Sequence, residues 1–186
     1  MRHAGMDDAR GAVLVVIDMQ NGFLNESSKA IIEPVSKLVE SARSRGIPVV
    51  FTRFRNEEGG PYERLIGWTR LRCSPEVDIA PELESYATTV IDKTMYSAFT
   101  DEFETLVAKE SWSTVILCGV ATDGCVLKTA VDAFERGLVP LVVRDACASH
   151  AGTDIHEAGL LLLARFIGRD QIVATGELLA ALDDHS

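Results

Sequence analysis

The chain lacks most of what would carry a protein to a membrane or a nucleic acid. Its most apolar helical run, Leu160-Leu161-Leu162-Leu163-Ala164-Arg165-Phe166-Ile167, is too short to span a bilayer and is broken by an arginine. Met1 to Gly11 is polar and has no apolar core of the secretory kind. Cations are few: 18 Lys and Arg against 28 Asp and Glu leave a formal charge of −10, which repels a phosphate backbone. Histidine is scarcer, with none between His3 and His150. The four cysteines (Cys73, Cys118, Cys125, Cys147) contain no C-x-x-C pair, so neither a zinc ribbon nor a dithiol redox motif is written in them. Repeats, low-complexity tracts and Pro/Gly/Ser linkers are missing too. These absences leave a single domain over residues 1–186, expected in the cytoplasm with reduced thiols. It is expected to engage neither nucleic acid nor a membrane.

What is present is an alternation of apolar runs and helical patterns. Ala12–Ile17 is short, β-branched and ends at Asp18, the signature of a strand buried on both faces. Further strands are expected at Pro48–Arg53, Thr88–Asp92, Thr114–Cys118, Val139–Arg144 and Gln171–Val173. Helices are expected at Ser28–Arg45, Asp101–Lys109, Asp123–Arg136, Thr153–Ile167 and Gly176–Leu182. Asn56 to Pro81 reads as a long excursion over the active face. Six strands alternating with helices imply an α/β fold, a parallel sheet covered on both sides in three layers. Such sheets bind ligands at the carboxyl ends of their strands, next to the switch in strand order. The positions to inspect are therefore Asp18, the Arg53–Arg55 segment, Lys93, the Gly119–Cys125 turn and Asp145.

Cys125 falls in the first turn of an expected helix, where unpaired N–H groups and the helix dipole favour a thiolate. The small residues before it let backbone amides face a bound carbonyl. A buried packing cysteine is the competing reading. Asp18 is either a hydrogen-bonded strand-end carboxylate or a general base. Lys93 either reaches solvent or holds two neighbouring groups in their charged forms. Together the three put a nucleophile, a base and a cation at strand ends around one crevice.

Three segments carry a resemblance: Val16-Ile17-Asp18-Met19-Gln20-Asn21-Gly22-Phe23, Asp92-Lys93-Thr94-Met95-Tyr96-Ser97-Ala98-Phe99 and Gly119-Val120-Ala121-Thr122-Asp123-Gly124-Cys125-Val126. In order and spacing the chain resembles the isochorismatase-like cysteine hydrolases over nearly its whole length. The resemblance implies a doubly wound six-stranded parallel sheet in the order 3-2-1-4-5-6. It also implies an Asp–Lys–Cys triad, carried onto Asp18, Lys93 and Cys125. A cis peptide would join Val120 to Ala121, and the N–H groups of Ala121 and Cys125 would form the oxyanion hole. Homodimers or homotetramers are the usual assembly of such proteins.

Two departures narrow the chemistry. Nicotinamidase-type members hold a metal with an aspartate and histidines after the second strand, where this chain reads Thr52-Arg53-Phe54-Arg55-Asn56. No metal site of that kind is expected, and nicotinamide becomes a less favoured substrate. True isochorismatases resemble this chain but carry glycine in place of the cysteine, so Cys125 favours C–N cleavage in a small amide, carbamoyl or ureido compound through a thioester. Phe23, Trp68 and Tyr96 are candidate pocket walls, and Arg53, Arg55, Arg70 and Arg72 candidate clamps for a substrate carboxylate. His150 is assigned to a loop without a role, His156, Cys118 and Cys147 to structure, and Cys73 to nothing. The alternatives are an isochorismatase-type C–O hydrolase, a catalytically silent binding member and a thiol redox protein.

Overall fold

The structure is a computed structural model describing residues 11–183. Its sheet has six strands in the order β3-β2-β1-β4-β5-β6, every neighbouring pair parallel. The strands are β1 (Ala12–Ile17), β2 (Val49–Phe54), β3 (Val90–Lys93), β4 (Thr114–Val120), β5 (Val139–Ala148) and β6 (Ile172–Val173). The helices are α1 (Ile32–Ser44), α2 (Pro61–Ile66), α3 (Pro81–Glu84), α4 (Asp101–Glu110), α5 (Leu127–Glu135), α6 (Thr153–Phe166) and α7 (Thr175–Asp183). Right-handed crossovers that change direction after β3 place α1 and α7 on one face and α5 and α6 on the other. The expected topology is the observed one.

The two central strands explain why the sequence chose this arrangement. Every residue of β1 and of β4 is buried, which suits unbroken apolar runs covered from both sides. Each fully buried Val, Leu or Ile side chain contributes about 1.5–3 kcal/mol relative to exposure, so this pair anchors the fold. Ile17 pairs with Gly119 at the carboxyl ends of the two strands. Gly119 has φ 110, and a Cβ there would lie 2.1 Å from the Ile17 carbonyl oxygen. Only glycine lets β1 and β4 close at the switch point while the chain turns out toward Cys125.

Several boundaries differ from the sequence expectation. Lys29–Ile31 is a 3-10 turn leading into α1, and the excursion between β2 and α3 contains the short α2, begun by Pro61 and ended by Gly67 at φ 67. The expected helix from Asp123 begins instead with a π-helical turn, Thr122–Val126, before α5. β5 does not end at Arg144 but continues to Ala148 past a register shift opposite Leu117–Gly119. Asp145 is thus not a strand-end residue facing the crevice. Its Oδ1 accepts from Thr175 N at 2.8 Å and Thr175 Oγ1 at 3.0 Å, fastening the start of α7. No helix among the described residues is long and apolar enough to cross a membrane.

Candidate active site

At the carboxyl ends of β1, β3 and β4, three ionisable side chains meet below the surface. Asp18 follows β1 with φ 47, a left-handed conformation that aspartate tolerates better than most residues. Thr52 of β2 fixes it twice: Thr52 Oγ1 accepts from Asp18 N at 3.1 Å and donates to Asp18 Oδ1 at 2.6 Å. Lys93, the last residue of β3, runs over the Phe54 ring, its Nζ 5.3 Å from the ring centroid. Nζ lies 2.7 Å from Asp18 Oδ2 and donates to Cys125 Sγ at 3.3 Å and to the carbonyls of Met95 and Tyr96 at 3.0 Å each. Neither the Asp18 nor the Lys93 side chain touches solvent.

Charge states follow from these neighbours. Burial alone pulls Lys93 down, but the Asp18 carboxylate and the Cys125 sulfur outweigh it, and the net shift is upward. Lys93 is an ammonium. Burial pushes the Cys125 thiol up to about 12, the Lys93 ammonium opposing it and the Asp18 carboxylate adding to it. Desolvation of a nearly buried sulfur in a π turn thus opposes the resting thiolate that the helix dipole favours. Cys125 rests as a thiol beside a carboxylate. Asp18 Oδ2 faces the Lys93 ammonium at 2.7 Å and is the carboxylate oxygen left free of the Thr52 hydroxyl.

Above the sulfur lies a cavity of about 300 Å³. Phe23, Trp68 and Tyr96 line it, as do Ala121 and Cys125. The Val120–Ala121 peptide bond is cis. Arg53 is not in this cavity. It faces the other side of β2, bonding Asp92 through Nε at 2.5 Å and Nη2 at 3.0 Å, and opens onto a separate cleft. Arg55 shares Asp92, Arg70 pairs with Glu76 at 2.9 Å and Arg72 with Glu63 at 2.6 Å. None of the four guanidinium groups lines the cavity, which corrects their assignment as carboxylate clamps.

Three polar residues, Thr52, Tyr62 and Asp123, escape the sequence reading as site residues, and a fourth, His150, is weighed there but not favoured. Thr52 has a strand-alternation signal, since it points opposite to Arg53, but nothing in the chain announces its bond to Asp18. Tyr62 enters the wall from α2, buried, with a hydroxyl that finds no hydrogen-bond partner at bonding distance among the described residues. Asp123, inside the nucleophile turn, lines the cavity with an unpartnered, buried Oδ1. His150 is also a wall residue, its ring 5.2 Å from that of Phe23. The sequence places it after the fifth strand, within reach of the pocket but favoured as a loop residue without a role; with β5 running to Ala148, it lies at that strand's carboxyl end. Burial lowers the His150 pKa, with Asp123 opposing and Arg70 assisting. His156 lies outside, its Nδ1 2.7 Å from Thr122 Oγ1, tying α6 to the nucleophile turn.

The residues present do not fit a nicotinamidase-type metal. Phe54 is core, and Asn56 donates to the Trp68 carbonyl at 2.8 Å. Among the described residues no three His, Cys, Asp or Glu side chains gather at one point.

Comparison with known proteins agrees with this architecture. The Isochorismatase domain family model matches residues 12–174. Nicotinamidase 3 of Arabidopsis thaliana is 32% identical over 82% of this chain and 80% of its own length. A ureidoacrylate amidohydrolase of Methylorubrum extorquens is 27% identical over 95% of this chain and 86% of its own. Among solved structures, a cysteine hydrolase from Pseudomonas syringae superposes with a TM-score of 0.81 at 23% identity, covering 96% of this chain and 95% of that one. A pyrazinamidase/nicotinamidase from Streptococcus mutans superposes with a TM-score of 0.77 at 26% identity, covering 87% and 99%. With the family model spanning nearly the whole chain and a doubly wound sheet beneath it, the chain belongs to the isochorismatase family.

Proposed function

We propose that the protein is a cysteine-dependent amidohydrolase that cleaves a non-peptide C–N bond in a small amide, carbamoyl or ureido compound. The observation carrying this reading is the buried contact set of Asp18 Oδ2, Lys93 Nζ and Cys125 Sγ at the floor of the cavity. The relatives named nicotinamidase and ureidoacrylate amidohydrolase support the reaction class.

Because Cys125 rests as a thiol, attack requires a base in the same step. Asp18 takes the proton as sulfur bonds to the carbonyl carbon. The developing oxyanion accepts hydrogen bonds from the Ala121 and Cys125 amides, on the turn that lines the cavity. Collapse breaks the C–N bond, and Asp18 returns its proton to the leaving nitrogen. Water, deprotonated by Asp18, then attacks the thioester, releasing the acid and restoring the thiol. Lys93, 2.7 Å from Asp18 Oδ2 and 3.3 Å from Cys125 Sγ, holds the two groups together and compensates charge on sulfur during transfer.

Ammonia release by the wild type, Cys125→Ser and Asp18→Asn, with chelator present, tests the reading over a panel of simple amides, carbamoyl compounds and ureido acids. Wild-type turnover lost by roughly a thousandfold or more in both variants, with unchanged circular dichroism, is expected. Near-normal turnover in either variant removes its residue from the mechanism.

A further inference from the structure

The cavity over Cys125 has walls of Phe23, Tyr62, Trp68 and Tyr96 and, among the described residues, no Lys or Arg in its lining. Lys93 is the one ammonium at its floor, and four acceptors already surround Nζ within 3.3 Å. Arg70, whose charge reaches His150, is held by Glu76 outside the lining. The polar side chains in the lining are instead the acid Asp123, the hydroxyls of Tyr62 and Tyr96, and the His150 imidazole, whose pKa burial lowers toward the neutral form. Among the described residues Asp123 Oδ1 is buried without a donor, and the Tyr62 hydroxyl, on a residue 7% exposed, is buried without a hydrogen-bond partner. Buried polar groups left open in a cavity are groups a ligand can satisfy.

We propose that this pocket selects small, flat amides that carry no carboxylate and give an N–H to Asp123. A ureido acid or amino-acid amide with a free carboxylate would set its charge beside Asp123 with no cation to compensate it, and such a substrate is rejected. The inference rests on the amidohydrolase reading and narrows it. Asp123 is here a specificity residue, and Tyr62, from α2, a second polar contact. The cavity volume of about 300 Å³ suits a single ring or a short chain.

Matched pairs test the selection by turnover: butanamide against succinamate, and benzamide against 4-carbamoylbenzoate. The neutral member of each pair is expected to exceed the anionic one at least a hundredfold in kcat/KM. Asp123→Asn is expected to narrow that gap to less than tenfold by raising the anionic rate. Equal rates, or preference for the anion, overturn the proposal. A second readout does not depend on turnover. Iodoacetamide and iodoacetate are neutral and anionic reagents of nearly one size, and exposed Cys73 serves as a reference in the same chain. The iodoacetamide-to-iodoacetate labelling ratio at Cys125 is expected to be at least tenfold that at Cys73, and Asp123→Asn to reduce it. If no amide is hydrolysed but the ratio holds, the catalytic reading falls and the selectivity stands. Equal ratios at both cysteines overturn the selectivity whatever the turnover.

Discussion

The floor and the wall of the cavity are built on opposite terms. On the floor nearly every polar direction is closed: Thr52 bonds Asp18 from both sides, and Lys93 spends its protons on four neighbours. Gln20 beneath them is also saturated, donating to the Phe54 and Val77 carbonyls and accepting from Phe54 N. On the wall the Tyr62 hydroxyl and Asp123 Oδ1 stay open, and α2 leaves Leu65 77% exposed and Ile66 64% exposed. The floor hangs from strand ends that the core fixes. The wall comes from a helix of six residues and from turns. A closed network holds reacting groups in one geometry, whereas open polar atoms reserve their bonds for a substrate. Reaction type and selectivity therefore reside in different parts of the chain.

The largest effect should come from opening the floor. Lys93→Met keeps the side-chain length but leaves the Asp18 carboxylate buried without its cation. Loss of one partner of a buried ion pair costs about 3–5 kcal/mol, and turnover should fall by roughly a thousandfold or more. The double variant Asp18→Asn/Lys93→Met should regain most of that stability in urea unfolding while staying inactive. If the double variant is no more stable than Lys93→Met, the pair is not the unit that holds the floor.

The same division explains what could be read in the residues. Asp18, Lys93 and Cys125 follow or end apolar runs, so a parallel-sheet argument finds all three before any side-chain geometry is known. The wall carries no such periodic signal. Tyr62 reaches the cavity only because Pro61 starts a helix and Gly67 ends it, and nothing in Asn56–Pro81 fixes the path between them. Arg53 was misassigned because the end of a strand is not enough: β2 alternates, Thr52 turns inward, and Arg53 turns outward to Asp92. His150 and Asp145 exchanged significance for one reason. The exposed Arg144-Asp145 pair looks like a strand end but lies within β5, at the irregular stretch opposite β4.

A smaller effect should come from moving the floor against the wall without changing either. Gly159 of α6 packs on the nucleophile turn, and a Cβ there would lie 2.9 Å from Asp123 N and 3.1 Å from the Thr122 carbonyl carbon. Gly159→Ala gains about 1 kcal/mol of helix propensity and loses about 1–3 kcal/mol to overlap, so net stability should fall by about 0–2 kcal/mol. The turn carrying Asp123 and Cys125 must shift, and displacements of about 1 Å can cost a hundredfold in rate. We expect kcat/KM to fall about ten- to a hundredfold with a shift of only a few degrees in Tm. Full activity with the same Tm would mean that α6 yields and the turn does not.

The smallest effect is the one that distinguishes the two regions most directly. Tyr62→Phe removes a buried hydroxyl with no hydrogen-bond partner among the described residues and keeps the ring that packs against Phe54 at 5.0 Å and Tyr96 at 5.1 Å. Deleting a satisfied buried hydroxyl typically costs about 1 kcal/mol, whereas deleting an unsatisfied one relieves a desolvation penalty. Stability by urea unfolding should therefore stay level or rise by up to about 1 kcal/mol. KM for a neutral amide should rise less than tenfold with kcat nearly unchanged, since the hydroxyl meets the substrate and not the reacting atoms. Thr52→Val, the matching change on the floor, should do the reverse: lower stability and a lower kcat. If Tyr62→Phe instead destabilises the protein as Thr52→Val does, its hydroxyl is bonded within the fold. The wall would then be as closed as the floor, and substrate selection would have to rest on Asp123 alone.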